Sequence, residues 1–381
     1  MKKICIISGT RAEFGLLSPL MHAIKEEGNY SLQVIVSGMH LSPEFGLTYR
    51  EIEKEGFAID EKVETLLSSD TDTGIIKSTG LGMIGFADAI NRLKPDLIVL
   101  LGDRYETFAA ATAAYLAKIP IAHLHGGETT EGATDEGLRH AITKMSYLHF
   151  TSTETHRRRV IQLGESPERV FNVGAIGIDN IKKLSFLTKD ELTQSINFDV
   201  DKPFLLVTFH PVTLENNSAE KQFMELLKAF NYLPEMNIIF TKPNADANGR
   251  VIIELIDEFV SKVPTQYASF TSLGQLRYLS LMRLAAAVVG NSSSGIIEAP
   301  SFSVPTINIG DRQKGRIAAA SVIHVPPVAE KISDAIISIL DVEVKNNSNP
   351  YGNGDTTEKT MKILGRSLNN IELKKTFHDI N

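Results

Sequence analysis

The 381-residue sequence predicts an α/β protein built from two doubly wound, parallel-sheet domains. Three observations lead there. Short apolar runs, such as residues 97–101, 204–208 and 285–289, have the unbroken apolar character of strands buried on both faces. Helical spacing separates these runs, as in Leu16, Leu17, Leu20 and Ile24 after the first of them, and alternation of strand and helix implies a parallel sheet. The alternation restarts after G-A-I-G-I-D-N, residues 174–180, so the chain reads as two Rossmann-like series of similar size. Residues 1–174 are the expected N-terminal domain and 175–355 the C-terminal one. A ligand is expected in the cleft where the carboxyl ends of both sheets face each other.

Composition narrows the function. A hydrophobic content of 43% suits a globular core, and a net charge of −7 argues against nucleic acid as a partner. The single cysteine, Cys5, lies in the first apolar run; it excludes an internal disulfide and reads as an inert buried thiol. The apolar run after Met1-Lys2-Lys3 is too short for a signal peptide, and no run approaches a membrane span. A soluble, cytoplasmic protein without a membrane partner is expected.

The elements follow in order. Residues 3–7 form a strand that ends in S-G-T-R-A-E-F-G, and Ser8 to Arg11 at the helix start suit an anion. Residues 31–37 form a second strand, which brings His40 to its end. A helical pattern runs to Gly56, a strand covers 57–63, and a glycine-punctuated helix covers 71–94. The buried strand opened by Pro95-Asp96 ends in Gly102-Asp103-Arg104, ahead of a helix over 107–117. The apolar run 118–124 is a strand, and Thr134 is a plausible cap for the helix that starts with Asp135 and Glu136. A strand at 147–152, a basic helix at 155–163 and a strand at 170–173 complete the first series; Arg157, Arg158 and Arg159 read as a solvated face. In the second series, strand 204–208 ends in Phe209-His210-Pro211, a helix covers 214–233, and strand 237–241 leads to K-P-N-A-D-A-N-G-R. A helix and a strand follow, then a helix over 274–284. Strand 285–289 ends in G-N-S-S-S-G and strand 304–309 in G-D-R-Q-K-G-R; after a polar stretch at 346–354 a last helix starts near Thr356.

The chemistry concentrates in residues 121–140, which hold His123, His125, Glu128, Glu131, Asp135, Glu136, Arg139 and His140 among three glycines. A glycine-rich, titratable loop at a strand end is where open α/β sheets place active sites. His123 and His125 lack a third ligand, so no metal is expected. Neither a dinucleotide fingerprint nor a Walker motif is present, so no cofactor and no ATP hydrolysis are expected. The G-N-S-S-S-G turn, with Asn291, Ser292, Ser293 and Ser294 at a helix start, matches a phosphate or diphosphate. Glu298 shares a helix face with Ser294 and suits ribose hydroxyls, and Arg312, Lys314 and Arg316 add positive charge. These pieces suggest a sugar nucleotide, with Asp103, the 123–140 loop and Arg11 brought to the sugar.

The motifs R-A-E-F-G, S-G-M-H-L, G-D-R-Y-E, H-L-H-G-G-E, D-E-G-L-R-H-A-I-T-K-M-S, F-H-P, G-N-S-S-S-G and G-D-R-Q-K-G-R together resemble the UDP-N-acetylglucosamine 2-epimerase family, in family order and over nearly the whole chain. The hydrolysing branch that supplies bacterial sialic acid synthesis is the better match, because the non-hydrolysing G-T-R-P-E-A-I-K lysine is missing. The resemblance implies a glycosyltransferase-B-type architecture, a last helix over 356–381 that packs back on the first domain, and a homodimer or larger assembly. It also implies a reaction: elimination of UDP from UDP-N-acetylglucosamine gives a 2-acetamidoglucal, and its hydration gives N-acetylmannosamine. Essential acids map onto Asp103 and Asp135, with Glu128 nearby and His210 at the diphosphate and sugar. Arg11, Ser292, Ser293 and Arg312 map onto phosphate contacts and Glu298 onto the ribose; His40, Arg104, Arg139, Asn291 and Ser294 complete the expected binding set. Several relatives carry an acid where this chain has His125, so the acid/base step falls to His125 or to Glu128. Asp135 is favoured over Glu136 as the catalytic acid. UDP-N,N'-diacetylbacillosamine, on the way to legionaminic acid, is the alternative substrate; a glycosyltransferase and a non-enzymatic sensor are the rival classes.

Overall fold

The computed structural model describes residues 1–67, 69, 71–131, 133–212, 218–243, 249–340 and 348–380. Its strands are β1 (Lys2–Ser8), β2 (Tyr30–Ser37), β3 (Glu61–Val63), β4 (Leu97–Leu101), β5 (Ile121–Leu124), β6 (Leu148–Thr151), β7 (Val170–Asn172), β8 (Phe204–Thr208), β9 (Asn237–Thr241), β10 (Tyr267–Phe270), β11 (Ala287–Gly290), β12 (Thr306–Ile309) and β13 (Val322–Val325). Its helices are α1 (Arg11–Glu26), α2 (Tyr49–Lys54), α3 (Asp72–Leu93), α4 (Tyr105–Leu116), α5 (Asp135–Met145), α6 (Glu154–Gln162), α7 (Gly177–Lys183), α8 (Lys189–Ile196), α9 (Ala219–Phe230), α10 (Gly249–Lys262), α11 (Gly274–Leu284), α12 (Ser294–Ile297), α13 (Ala329–Leu340) and α14 (Thr356–Ser367). The chain divides into two compact units: Met1–Glu128 with Asp135–Lys182 and Tyr351–Asn381, and Thr129–Thr134 with Lys183–Pro350.

Among the described residues, the first unit carries a parallel sheet in the order β3-β2-β1-β4-β5-β6-β7. This is the doubly wound arrangement, in which the chain reverses direction beside β1 and opens a crevice at the carboxyl edge. Side chains of β1 alternate between two cores, as a period of two requires. Ile4 and Ile6 join Phe14, Leu17 and Leu20 of α1 and Leu364 of α14 on one face; Cys5 and Ile7 join Phe86 and Ala110 on the other. Each large side chain buried in this way contributes about 1.5–3 kcal/mol. Helix α1 starts with a capping box: Thr10 Oγ1 accepts Glu13 N–H, and Glu13 answers to Thr10 N–H. Helix α14 is held at its start by the buried Asp179, whose carboxylate accepts the N–H groups of Thr356 and Thr357 at 2.9 and 2.6 Å.

The second unit repeats the plan, with parallel order β10-β9-β8-β11-β12-β13. Its core is aromatic: Phe223, Phe230, Phe240 and Phe259 interlock edge to face beside Leu205 and Val207. Two Rossmann-like α/β units are thus what the apolar runs predict.

Several expected elements differ. The strand expected at 57–63 contracts to β3, because Phe57 turns inward against Phe14 and the Asp60 carboxylate accepts Val34 N–H at 2.7 Å. The strand expected at 118–124 starts only at Ile121, since Lys118 sits at φ +61° in a turn. The last helix ends at Ser367; the chain then runs without helix, with Lys375 clamped on the buried Glu165 and Phe377 over Gly164. Arg157 and Arg159 are not a solvated face: they donate to the carbonyls of Val170 and Gly127, and only Arg158 is strongly exposed. The region expected to hinge, 174–180, runs into α7. Strand β13 and helix α13 were not among the expected elements. Parts of the expected helix 214–233, of the loop 242–250 and of the polar stretch 346–354 lie outside the described residues, as does Gly132. No helix among the described residues is long and apolar enough to cross a membrane.

Candidate active site

At the carboxyl edge of the first unit, β4 ends in Gly102, whose φ of +77° turns the chain and presents Asp103. His123 of β5 braces this turn. Its Nε2 lies 2.7 Å from the Gly102 carbonyl, which can only accept, so Nε2 carries the proton and Nδ1 accepts from Thr143 Oγ1. Burial drives the His123 pKa down to about 3, so the strut stays neutral.

Arg139 of α5 organises the acids. Its guanidinium is 1% exposed and pairs with Asp103, with Glu136 Oε2 at 2.9 Å and with the Glu128 carbonyl at 3.0 Å. Glu136 is also 3.1 Å from His140, so its carboxylate is held within α5 by residues three and four positions on. Asp135, half-buried at the first position of α5, is the neighbouring acid.

The loop after β5 is tightly built. His125 adopts φ +65°, an uncommon left-handed conformation for a side chain of this size. Its Nδ1 lies 3.2 Å from Glu128 Oε1, and its Nε2 accepts the N–H of Ile176 at 3.3 Å. The same Glu128 oxygen accepts Ser152 Oγ at 2.6 Å, and Ser152 Oγ lies 2.9 Å from His156 Nδ1. Gly127 has φ +77°, and a Cβ there would meet the His156 carbonyl at 2.5 Å, so only glycine fits.

The tip after β1 holds a group of the protein's own where an external anion was expected. Glu13 places its carboxylate on the N–H groups of Gly9 and Thr10, at 2.7 and 3.2 Å. Burial first, and then the charge of Glu106, raise the Glu13 pKa to about 7. Arg11 pairs with Glu51 at 2.6 Å, and Arg104 grips the buried Glu106 through Nε and Nη2 at 3.2 and 3.3 Å. His40 is fully buried, with Ser8 on Nε2 and Thr48 on Nδ1, and burial lowers its pKa to about 3. Arg11, Arg104 and His40 are thus all engaged within the unit.

In the second unit, β8 and β11 approach closely at Gly290, where φ is +133° and a Cβ would stand 1.9 Å from the Thr208 carbonyl. Asn291 follows and is fully buried. Its side chain accepts His210 N–H at 2.7 Å and donates to the His210 carbonyl at 2.8 Å, so it fixes His210. The Asn291 carbonyl in turn accepts Arg312 Nη1 at 3.1 Å and Gln313 Nε2 at 2.8 Å. Ser292, Ser294 and Tyr278 form a hydroxyl chain with spacings of 3.1 and 2.5 Å. Burial pushes Tyr278 up to about 12, so it remains a neutral phenol. Ser293 precedes the four-residue α12, and Glu298, 8% exposed, closes it. A cavity of about 530 Å³ opens beside the loop, lined by Gln222, Gln313, Lys314, Arg316 and His324 among others. Thr129 Oγ1 donates to the Gly315 carbonyl at 2.6 Å, and Glu131 lies 3.8 Å from Lys314.

The expected residues therefore gather into two groups. Asp103, His125, Glu128, Asp135 and Arg139 line the first unit's edge, and His210, Asn291, Ser292, Ser293, Ser294, Glu298 and Arg312 the second unit's. Sequence reasoning missed Ser152, His156, Glu106, Tyr278 and Gln313. Glu106 and Gln313 had a signal in G-D-R-Y-E and G-D-R-Q-K-G-R, and Ser152 in its place at a strand end; His156 and Tyr278 had none.

A family model described as UDP-N-acetylglucosamine 2-epimerase matches residues 22–365. A GDP/UDP-N,N'-diacetylbacillosamine 2-epimerase (hydrolyzing) of Campylobacter jejuni is 44% identical, over 99% of this chain and 98% of that protein. The polysialic acid biosynthesis protein P7 of Escherichia coli is 38% identical, over 100% of this chain and 98% of that protein. Among solved structures, the UDP-GlcNAc 2-epimerase of Methanocaldococcus jannaschii, in complex with UDP-GlcNAc and UDP, superposes with a TM-score of 0.81 at 24% identity, covering 96% of this chain and 100% of that one; it shares the fold.

Proposed function

Because the chain belongs to the UDP-N-acetylglucosamine 2-epimerase family, as a hydrolysing UDP-sugar 2-epimerase, we propose that it releases UDP from a 2-acetamido sugar and frees the sugar with C2 inverted. The observation that carries this reading is Asp103, a carboxylate at the edge of β4 aimed by the buried Arg139. The chemistry asks for such a group. A C2 proton is barely acidic, so a base must take it while the departing diphosphate is stabilised. Elimination gives a 2-acetamidoglucal; water then adds a hydroxyl at C1 and a hydrogen at C2. Asp103 and Asp135 are assigned to the proton steps. His210, Ser292, Ser293 and Arg312 are assigned to the diphosphate and Glu298 to the ribose. Arg11, His40, Arg104, Arg139, Asn291 and Ser294 are assigned to holding these groups in place.

UDP-N,N'-diacetylbacillosamine is the preferred substrate in this reading, since the relative at 44% identity is named for that sugar. UDP-N-acetylglucosamine, giving N-acetylmannosamine for sialic acid synthesis, is the second reading. The relative at 38% identity, named for polysialic acid biosynthesis, favours it. A cytoplasmic homodimer or larger assembly belongs to the same proposal; exposed Ile76 and Ile84 of α3 and Leu116 of α4 support the assembly, and sedimentation velocity tests it.

Proton NMR in D2O, with each UDP-sugar and the GDP-linked bacillosamine derivative in turn, tests the reading. Free nucleotide with a C2-deuterated, C2-inverted sugar is the expected result. An epimer with UDP still attached refutes hydrolysis. Asp103→Asn is expected to stop turnover while UDP still binds; lost UDP affinity would make Asp103 a binding residue.

A further inference from the structure

The hydroxyls beside the turn after β11 extend well past the turn itself. Thr241 and Thr208 end β9 and β8, stand opposite each other in register, and pair through their Oγ1 atoms. Thr208 also hydrogen-bonds the phenol of Tyr278, which α11 supplies. Tyr278 Oη lies 2.5 Å from Ser294 Oγ, and Ser294 Oγ lies 3.1 Å from Ser292 Oγ. The line thus crosses the carboxyl edge of three neighbouring strands, β9, β8 and β11. Gly290, paired with Thr208, lets the strand ends come this close because it has no Cβ.

Each hydroxyl has one proton to give, so the line has a direction. A phenol is a stronger acid than an aliphatic hydroxyl, so Tyr278 gives its proton to Ser294 across the 2.5 Å contact. Burial outweighs the pull of Ser294 and Thr208 on the phenol, and with the Glu298 charge it keeps Tyr278 protonated as a donor. Tyr278 then accepts from Thr208, and Thr208 from Thr241. Ser294, with a donor on its oxygen, gives its own proton to Ser292. Ser292 Oγ also faces the Ser294 N–H at 3.4 Å, so both of its lone pairs are taken. What Ser292 has left is one proton to donate, and an ionised phosphate oxygen is an acceptor.

We infer that Tyr278, backed by Thr208 and Thr241, is a positioning residue for nucleotide binding: it sets the hydroxyl line so that Ser292 presents its proton to a diphosphate oxygen. The inference rests on the proposed function, which gives the diphosphate to Ser292, and it adds residues of β8, β9 and α11 to that site. Hydrogen bonds polarised in one direction strengthen the last donor of the line. A donor set in advance also needs no reorientation as negative charge grows on the departing diphosphate. Without the phenol, Ser294 loses its donor, and Ser292 is free to turn its proton back onto Ser294.

Calorimetric titrations with UDP and with uridine test this on the wild type, Tyr278→Phe, Ser292→Ala and the double variant, with Thr208→Val for the next link. Tyr278→Phe is expected to weaken UDP about five- to tenfold, while uridine, which has no phosphate, moves by less than about twofold. Ser292→Ala weakens UDP at least as much, and adding Tyr278→Phe to it costs about twofold at most. Thr208→Val keeps the outline of the side chain but not its proton, and weakens UDP about two- to threefold. Equal losses of UDP and uridine in Tyr278→Phe mean a general loosening and overturn the inference. Unchanged UDP affinity overturns it too, as does a Tyr278→Phe effect that survives in full on Ser292→Ala. Should Tyr278→Phe fail to fold, Thr208→Val in the same cycle with Ser292→Ala decides. None of these titrations needs turnover. A wild type that binds UDP but releases it from no sugar sinks the epimerase reading alone, whereas one that binds UDP no better than uridine overturns the inference.

Discussion

Arg139→Lys separates aiming from binding at the first unit's edge. The Arg139 guanidinium is 1% exposed and reaches Asp103, Glu136 and the Glu128 carbonyl at once. A lysine ammonium is a point charge, without the planar fork that spans three acceptors. Two of the three bonds should be lost, each worth about 1.5–3 kcal/mol when a charge is involved. Water reaching Asp103, whose side chain is 19% exposed, restores part of this, so a net loss of about 2–4 kcal/mol is expected. In a unit of this size that is a drop in melting temperature of roughly 4–16 °C. A carboxylate misplaced by about 1 Å costs roughly 100-fold in rate, so kcat should fall by that order. UDP affinity should stay within about threefold, since the loss falls on transition-state stabilisation. Melting curves, UDP-release kinetics and calorimetric UDP titration on one preparation check all three. Wild-type kcat in the variant refutes the aiming role. A loss of UDP affinity as large as the loss of kcat would make Arg139 a nucleotide ligand, as its place in the motif suggests.

Glu13→Gln should stabilise the protein at high pH. Its folded pKa, raised to about 7 from 4.5, means that stability is lost as pH rises from 4.5 to 7; the variant should gain about 2 kcal/mol at pH 8 and little at pH 5, read by melting at both. Glu165→Gln should loosen residues 369–380. Burial raises the Glu165 pKa, but bonds from His149, Lys144 and Lys375 outweigh it and bring it to about 2, so this stability is present above about 4.5 and lost as pH falls towards 2. Burial also pulls Lys375 down, which offsets part of the gain; a net loss of about 1–2 kcal/mol is expected, with faster hydrogen exchange in the tail, and unchanged exchange there would refute the clamp. Gly290→Ala should cost about 4 kcal/mol or more, because its Cβ would stand 1.9 Å from a backbone carbonyl; soluble yield and UDP binding report it.

The fold was legible because its signal is local. Leu97–Leu101 is an unbroken apolar run, Phe204–Thr208 and Asn237–Thr241 are apolar but for Thr208, Asn237 and Thr241, and the structure has strands over all three. Failures occurred where a distant partner overrides local pattern. Phe57 belongs to an apolar run that reads as strand, yet its ring packs on Phe14 and the chain bends there. Val322–Val325 passed unnoticed because β13 is an edge strand, half-exposed along most of its length, and its pattern is diluted by His324.

Site residues show the same division more sharply. Residue type and position at a strand end are written locally, so Asp103, the 121–140 loop and G-N-S-S-S-G stood out. What each side chain faces is a property of the folded chain. Glu136 and Arg139 lie three apart on one helix and were readable as a pair, whereas Arg139 and Asp103 are 36 positions apart and were not. Arg11 was expected at an anion because it sits at a helix start after a glycine turn, and Arg104 in the binding set because it adjoins Asp103 at a strand end. The structure gives Glu51 to the first and Glu106 to the second, and it seats Glu13 on the amides that an external anion would use. A buried carboxylate on those amides and a buried neutral histidine behind them make the tip of β1 a rigid brace. Under the proposed function that rigidity serves the chemistry assigned to Asp103, whose carboxylate is aimed to within a fraction of an ångström only if the turns on either side of it cannot give.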